Sequence, residues 1–468
     1  MSASRFDKAT ENLVRWCARD EWLEPQLDIY TAHVAQVADI LDVSDDEFEE
    51  LIGDAADMLG VFILEDFFTA RFGEDGELNV VDDYLKRLGW RETAPGRRYL
   101  ESLRDSMVSL YEVVGINPGR SLTVRDLILG GESVTVHEKL GSKSAAPWDR
   151  LAARIVEVNG TMYFTGAVLR FRQELSLQFL SMVDEMAMER EEDITEEARR
   201  ILAESVDIRS VVREFMLGGG HGAQMFTQTW LLDTLLQAQA PLPALHNTDD
   251  EPIVFCRVRF PIVGDEAEIA TMLDGIECFA RDEGDVPSWT WSVPGSPLHR
   301  MALLRRGIEV RKSESMIGTT SLGHAEMEGG ALTLFVNSRG RAERGRDLLV
   351  SCLGDRVGPP LISYQDPEKA LEEDAGQPDR EHETEPKEAA LVMRACTDEY
   401  CRRMLDDPHP SVDGKTLRQA VKTRKGREKA IDWLKQLENT EHRRALQQGD
   451  RPYDTSWLWR ELGIEVPR

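Results

Sequence analysis

Ala152-Ala153-Arg154-Ile155-Val156-Glu157-Val158-Asn159-Gly160-Thr161-Met162-Tyr163-Phe164 is two alternating apolar runs joined by Asn-Gly. A two-residue type I′ turn needs positive φ at both central residues, and Asn-Gly supplies this at low steric cost. The stretch therefore predicts a β-hairpin. The period of two continues upstream. Ser109 to Val114 reads as a strand, and Asn117-Pro118-Gly119-Arg120 as a turn. Ser121 to Val124 and Ser133 to Val136 are further short strands on either side of Gly130-Gly131. Five or six such strands predict a small antiparallel barrel or rolled sheet over 109–171. Basic and aromatic residues interleave sparsely there, which favours a packing role over nucleic-acid binding.

The flanks change period. Over 1–108, Leu41, Phe48, Leu51, Ile52, Ala55 and Leu59 recur at helical spacing, as do Tyr99, Leu100, Leu103 and Met107. The helix, Gly89-Trp90 turn and helix form a shape seen in winged-helix domains. Lys86, Arg87, Arg91, Arg97 and Arg98 would be its DNA contacts, but Asp82, Asp83 and Glu92 interrupt the cluster. Helices resume over 172–245. The glycine-rich Gly218-Gly219-Gly220-His221-Gly222 lies between two helical patterns, without a preceding strand or a G-x-S-x-G elbow, and reads as an interhelical hinge. Residues 250–364 read as a small α/β domain. Within it Ser338 is a candidate helix N-cap, and Arg339, Arg341 and Arg344 form a candidate anion-binding group. The predicted class is α+β and multidomain: a helical N-terminal domain, a small barrel, a helical segment, a small α/β domain and a C-terminal helical module.

Composition narrows the function classes. The 468 residues are 41% hydrophobic and 30% charged, as in a globular protein with real cores. The 56 Lys and Arg face 85 Asp and Glu, a net charge of -29, which repels phosphate backbones at long range. The six cysteines are scattered without a CxxC pair, so reduced thiols are expected and no metal or cofactor site is predicted. The N-terminus shows no signal-peptide pattern and no run is long enough to span a bilayer. A cytoplasmic location without membrane contact is expected.

Residues 365–388 are acidic, proline-bearing and poor in apolar side chains, and read as a linker. Beyond it, 389–468 reads as a tethered helical module. Pro408-His409-Pro410 stops one helix, Asp413-Gly414 turns the chain, Thr416 opens a short helix, and a long helix follows from Gly426. Lys415, Arg418, Lys422, Arg424, Lys425, Arg427 and Lys429 make a basic island opposed only by Glu428.

Pro408-His409-Pro410-Ser411-Val412-Asp413-Gly414, then Thr416-Leu417 and Gly426-Arg427, resembles the toxin-binding domain of Xre/MbcA/ParS-type antitoxins. That family carries a Pro-x-Pro-x-L-x-G loop, a Thr-Pro helix start and a Gly-Arg helix. Val412 stands for its leucine and Leu417 for its proline. The resemblance covers about residues 395–468. It implies a module that packs on a RES-type toxin, with Pro408, Pro410, Gly414, Lys415, Thr416, Arg418 and Arg427 as partner-binding residues. The rest of the chain resembles a group of uncharacterised bacterial multidomain proteins. It shares with them Asp83-Tyr84-Leu85-Lys86-Arg87, Ser109-Leu110-Tyr111-Glu112-Val113 and Asn337-Ser338-Arg339. The expected function is non-enzymatic protein interaction through the C-terminal module. A nucleic-acid-associated regulator is the second reading, and an enzyme without a recognisable motif the third.

Overall fold

The barrel grows from the Asn159-Gly160 turn, whose residues sit at φ +54° and +76° as the sequence requires. A computed structural model describes residues 6–467 except 54, 194–207, 219–221, 240–246, 248, 250, 283, 285, 295–318, 366–396 and 399–400. Strands β1 (Val108–Asn117), β2 (Ser121–Asp126), β3 (Val134–His137), β4 (Arg150–Val158) and β5 (Thr161–Phe171) close in the order β1-β2-β3-β5-β4. The pairing Leu110↔Ala152 closes the circle. Tyr111, Val113, Leu122, Val124, Val136 and Leu151 pack as one buried cluster of the barrel.

The alternate strand residues are buried too, because helices jacket the outside. These are α1 (Asp7–Cys17), α2 (Asp20–Leu41), α3 (Asp45–Ile52), α4 (Ala55–Thr69), α5 (Val80–Leu88) and α6 (Ala94–Arg104). After the short α7 (Gly141–Ser144) come α8 (Gln173–Asp193), α9 (Ile208–Gly218) and α10 (Gly222–Gln239). Phe62 of α4, Phe179 of α8 and Phe226 of α10 pack on Leu110, Leu169 and Phe171. Tyr99, Leu100 and Leu103 of α6 join Leu13 and Trp16 of α1 on Val156 and Val158. Residues 1–240 and 408–468 together form one compact unit. Gly219, Gly220 and His221 of the expected hinge, and all of the expected 365–388 linker except Gln365, lie outside the described residues.

A polar seam runs under α4. His33 Nδ1 is 2.6 Å from Thr227 Oγ1 and its Nε2 3.2 Å from Asp66, whose other oxygen pairs with Arg154 at 2.6 Å. Beside it Glu65, 5% exposed, accepts from Thr165 Oγ1 at 2.7 Å and from the Ala167 amide at 3.2 Å. These bonds satisfy polar groups that the helix jacket withdraws from water.

Residues 241–407 form a second unit. Its strands are β6 (Phe255–Pro261), β7 (Phe279–Arg281), β8 (Ser288–Pro294), β9 (Thr319–Glu328), β10 (Ala331–Val336) and β11 (Leu361–Gln365), ordered β11-β6-β10-β9-β8-β7. Every described pairing in that sheet is antiparallel, so its character is α+β rather than the expected α/β. Helices α11 (Glu266–Asp274) and α12 (Arg339–Leu353) share one core with the sheet: Ile269, Leu273, Ala342 and Leu349 meet Val258, Phe260 and Leu334. The alternation of β6, exposed at Phe255, Arg257 and Arg259 and buried at Cys256, Val258 and Phe260, follows from that one-sided cover.

The chain then returns to the first unit. A 3-10 turn (Pro410–Val412), α13 (Leu417–Ala420), α14 (Arg424–Gln448) and α15 (Ser456–Glu461) make a helical C-terminal region. Among the described residues no helix is long and apolar enough to cross a membrane.

Candidate docking site

The Pro408–Arg418 loop is a stiff hook. Prolines at 408 and 410 fix φ on either side of His409. The His409 amide donates to the Lys415 carbonyl and the Gly414 amide to the His409 carbonyl, both at 3.0 Å. Asp413 and Gly414, at φ +60° and +72°, turn the chain between those bonds. Gly414 is the residue type suited to that backbone. Thr416 and Gln419 form a reciprocal capping box that starts α13. Thr423 caps α14 through the Gly426 amide, and a Cβ at Gly426 would lie 2.2 Å from the Ala420 carbonyl oxygen. Val412, Leu417 and Ala420 are buried beneath, and His409 meets Trp433 edge-on at 5.8 Å.

All seven residues expected to bind a partner lie on this hook and the first turn of α14. Pro408, Pro410, Gly414, Lys415 and Arg427 are exposed; Thr416 and Arg418 are half-buried. Arg418 pairs with Glu461 at 2.8 Å and Lys429 with Asp413 at 2.5 Å. The Lys429 bond, with Lys425 and Lys415 nearby, holds the Asp413 carboxyl below the usual range. Lys415, Lys422, Lys425 and Arg427 make no salt bridge among the described residues. They form a positive surface on a chain of net charge -29.

The other face of α14 is fastened to the barrel. Lys435 Nζ reaches both Glu112 oxygens, at 2.8 and 2.9 Å. Arg150 lies 3.0 Å from the same carboxylate, and Arg125 pairs with it too. Burial opposes the ionised form of Glu112, yet Arg150, Lys435 and Arg125 together hold its carboxyl below the ordinary value. One turn on, Asn439 donates to the Pro147 carbonyl and to Asp149, both at 2.7 Å, and Arg443 pairs with Asp149. Trp148 Nε1 donates to Glu438 at 3.0 Å, and its ring lies 6.1 Å from that of Trp459. The tail expected as a tethered module is therefore docked, while its proline hook stays open to solvent.

The chain is similar to a family of unknown function (DUF7986) over residues 27–203. No curated protein and no solved structure matches it. The family match runs from within α2 through the barrel and past the end of α8, and lies outside the hook.

The second candidate site has its own anions in place. Ser338 caps α12 and donates to Glu251. Arg341, 3% exposed, holds Asp249 at 2.8 Å, while Arg344 holds Asp249 at 2.5 Å and Glu251 at 2.8 Å. The Arg341 hydrogen bond keeps Asp249 below the carboxylate range, and the Ser338 and Arg344 bonds do so for Glu251. A ligand anion would have to displace both. Arg339 lies instead over the Tyr364 ring, at 4.6 Å.

Sequence reading missed Glu112, Trp148, Asp149 and Lys435. The one available signal was a glutamate inside an apolar strand, Leu110-Tyr111-Glu112-Val113. It also missed the Thr227–His33–Asp66 arrangement. This mimics a hydroxyl, imidazole and carboxylate relay, but Thr227 and His33 are fully buried, so no substrate carbonyl reaches the hydroxyl. It is a core network.

Proposed function

We propose that the chain is a non-enzymatic interaction protein that docks an acidic protein partner on its C-terminal hook. The observation that carries this reading is the rigid, solvent-open Pro408–Arg418 loop beside four cations that make no salt bridge among the described residues, on an otherwise acidic molecule. A preorganised loop loses little entropy on binding. Complementary charge steers an acidic partner to the basic stretch of residues 415–429. The antitoxin-type resemblance supports a RES-type toxin as that partner, with the hook obstructing its active site. The barrel end of α14 serves as the mount, and the encounter takes place in the cytoplasm.

The test is co-purification from the native host with nuclease treatment. Wild type is compared with a chain carrying Lys415→Glu, Lys422→Glu, Lys425→Glu and Arg427→Glu. All four side chains are exposed or rim-placed, so the variant should keep the wild-type melting temperature within a few degrees. The expected result is loss of a discrete protein from the variant. An unchanged set of bound proteins sinks the proposal. Bound DNA or RNA in place of a protein, weakening steeply with salt, would transfer the basic face to the nucleic-acid reading.

A further inference from the structure

The barrel and the far end of α14 enclose a cleft of about 510 Å³ that the docking surface does not use. One wall is β1 past the point where β4 leaves it. The β1–β4 pairing ends at Glu112↔Arg150, so Val114 to Ile116 line the cleft with no strand beside them on that side. Leu446, 47% exposed, Pro147 and Trp148 also line the cleft. The volume falls in the range of small-molecule sites, and the lining is mainly apolar with a few convergent polar groups.

Two features point to a ligand. Trp148 sits at φ +66°, a backbone region bulky residues rarely adopt. It is held there from several directions: its amide donates to the Val113 carbonyl, its indole N–H to Glu438, and Lys435 Nζ lies 4.8 Å from its ring centre. Such over-determined strain is characteristic of binding clamps. The polar lining is also unequal. Glu438 already accepts from Trp148, and Asp450 is exposed at the rim. Lys143 and His442 face the cleft with no side-chain partner among the described residues. An ammonium and an imidazole without acceptors, above an apolar floor, complement a flat apolar body bearing one anionic group.

We infer that this cleft binds a small aromatic anion, its acidic group on Lys143 and His442 and its ring against Pro147, Trp148 and Leu446. The claim is independent of the hook, since the two surfaces share no residue.

The probe is 1-anilinonaphthalene-8-sulfonate, titrated into the full chain by calorimetry, with the uncharged N-phenyl-1-naphthylamine as control. One saturable site per chain is expected. Lys143→Ala and His442→Ala should each weaken the anion about fivefold, the size of one partly exposed polar contact, and leave the neutral probe unchanged. Leu446→Asp should weaken both probes. Lys143 and Leu446 are exposed, so these variants should keep the wild-type melt. Non-saturable binding overturns the inference. So does a sulfonate affinity indifferent to Lys143 and His442, or equal affinity for the two probes.

Discussion

Glu65 is a carboxyl the fold prefers neutral. Burial raises it from an ordinary 4.5 to about 7, and the Thr165, Arg154 and Ala167 contacts only partly offset this. The sign follows from linkage. Between pH 4.5 and 7 the unfolded chain has released this proton and the folded chain has kept it, so stability falls as pH rises through that window and is level above it. At about 1.4 kcal/mol per pH unit the loss is about 3 kcal/mol. Glu65→Gln should recover about that much at pH 8 in urea unfolding and flatten the profile between pH 4.5 and 7. An unaltered slope would mean Glu65 is ionised in the native state. This residue was not legible in the sequence. Glu65 sits in Leu64-Glu65-Asp66-Phe67, where a helix leaves open which turn faces solvent, and only the closed barrel decides it.

At the scale of elements, legibility tracks the reach of the signal. The Asn159-Gly160 hairpin, the strand alternation and the Thr416 helix start are fixed by neighbours in sequence, and each stands where it was expected. The fastening of α14 is not local: Lys435 is 323 positions from Glu112 and Arg443 is 294 from Asp149. The long helix could be read as amphipathic, but nothing along the chain said that its inward face would meet a barrel. That is why a fixed helix was read as a tethered one. Removing 408–468 would strip Glu112 of its lysine and Asp149 of its arginine, leaving buried charge less compensated. Breaking a buried pair costs about 3–5 kcal/mol. The truncated chain should therefore melt at least several degrees below the full one. A tethered module would leave the melting point of the body unchanged, so the measurement separates the two arrangements.

For the whole molecule, the return of the tail makes 241–407 an insertion between two stretches of one body. The inserted sheet and its two helices share a single core, drawn from within the unit. Residues 247–365 expressed alone should therefore unfold cooperatively, with a native-like β-sheet signal by circular dichroism; a non-cooperative melt would show that this core needs the rest of the chain. The site followed the same rule as the fold. The proposed hook residues lie within about twenty positions, so their being brought together on one loop and one helix start follows from local turns and caps. The arginines of α12 were legible as a cluster, but not as partners of Asp249 and Glu251, which lie about ninety positions earlier.

The late closure of α14 over Glu112 and Asp149 has a consequence for synthesis. A nascent polypeptide emerges from its N-terminus, so Glu112 and Asp149 wait for the lysine and arginine of α14, which are made some three hundred residues later. Arg443 follows Asp149 by 294 positions, which at ~5–20 residues per second is about 15–60 s of elongation. Until then Asp149 lacks its arginine and Glu112 keeps only Arg125 and Arg150 of its three cations, so a chain stopped before α14 would be distinguishable by its open flank.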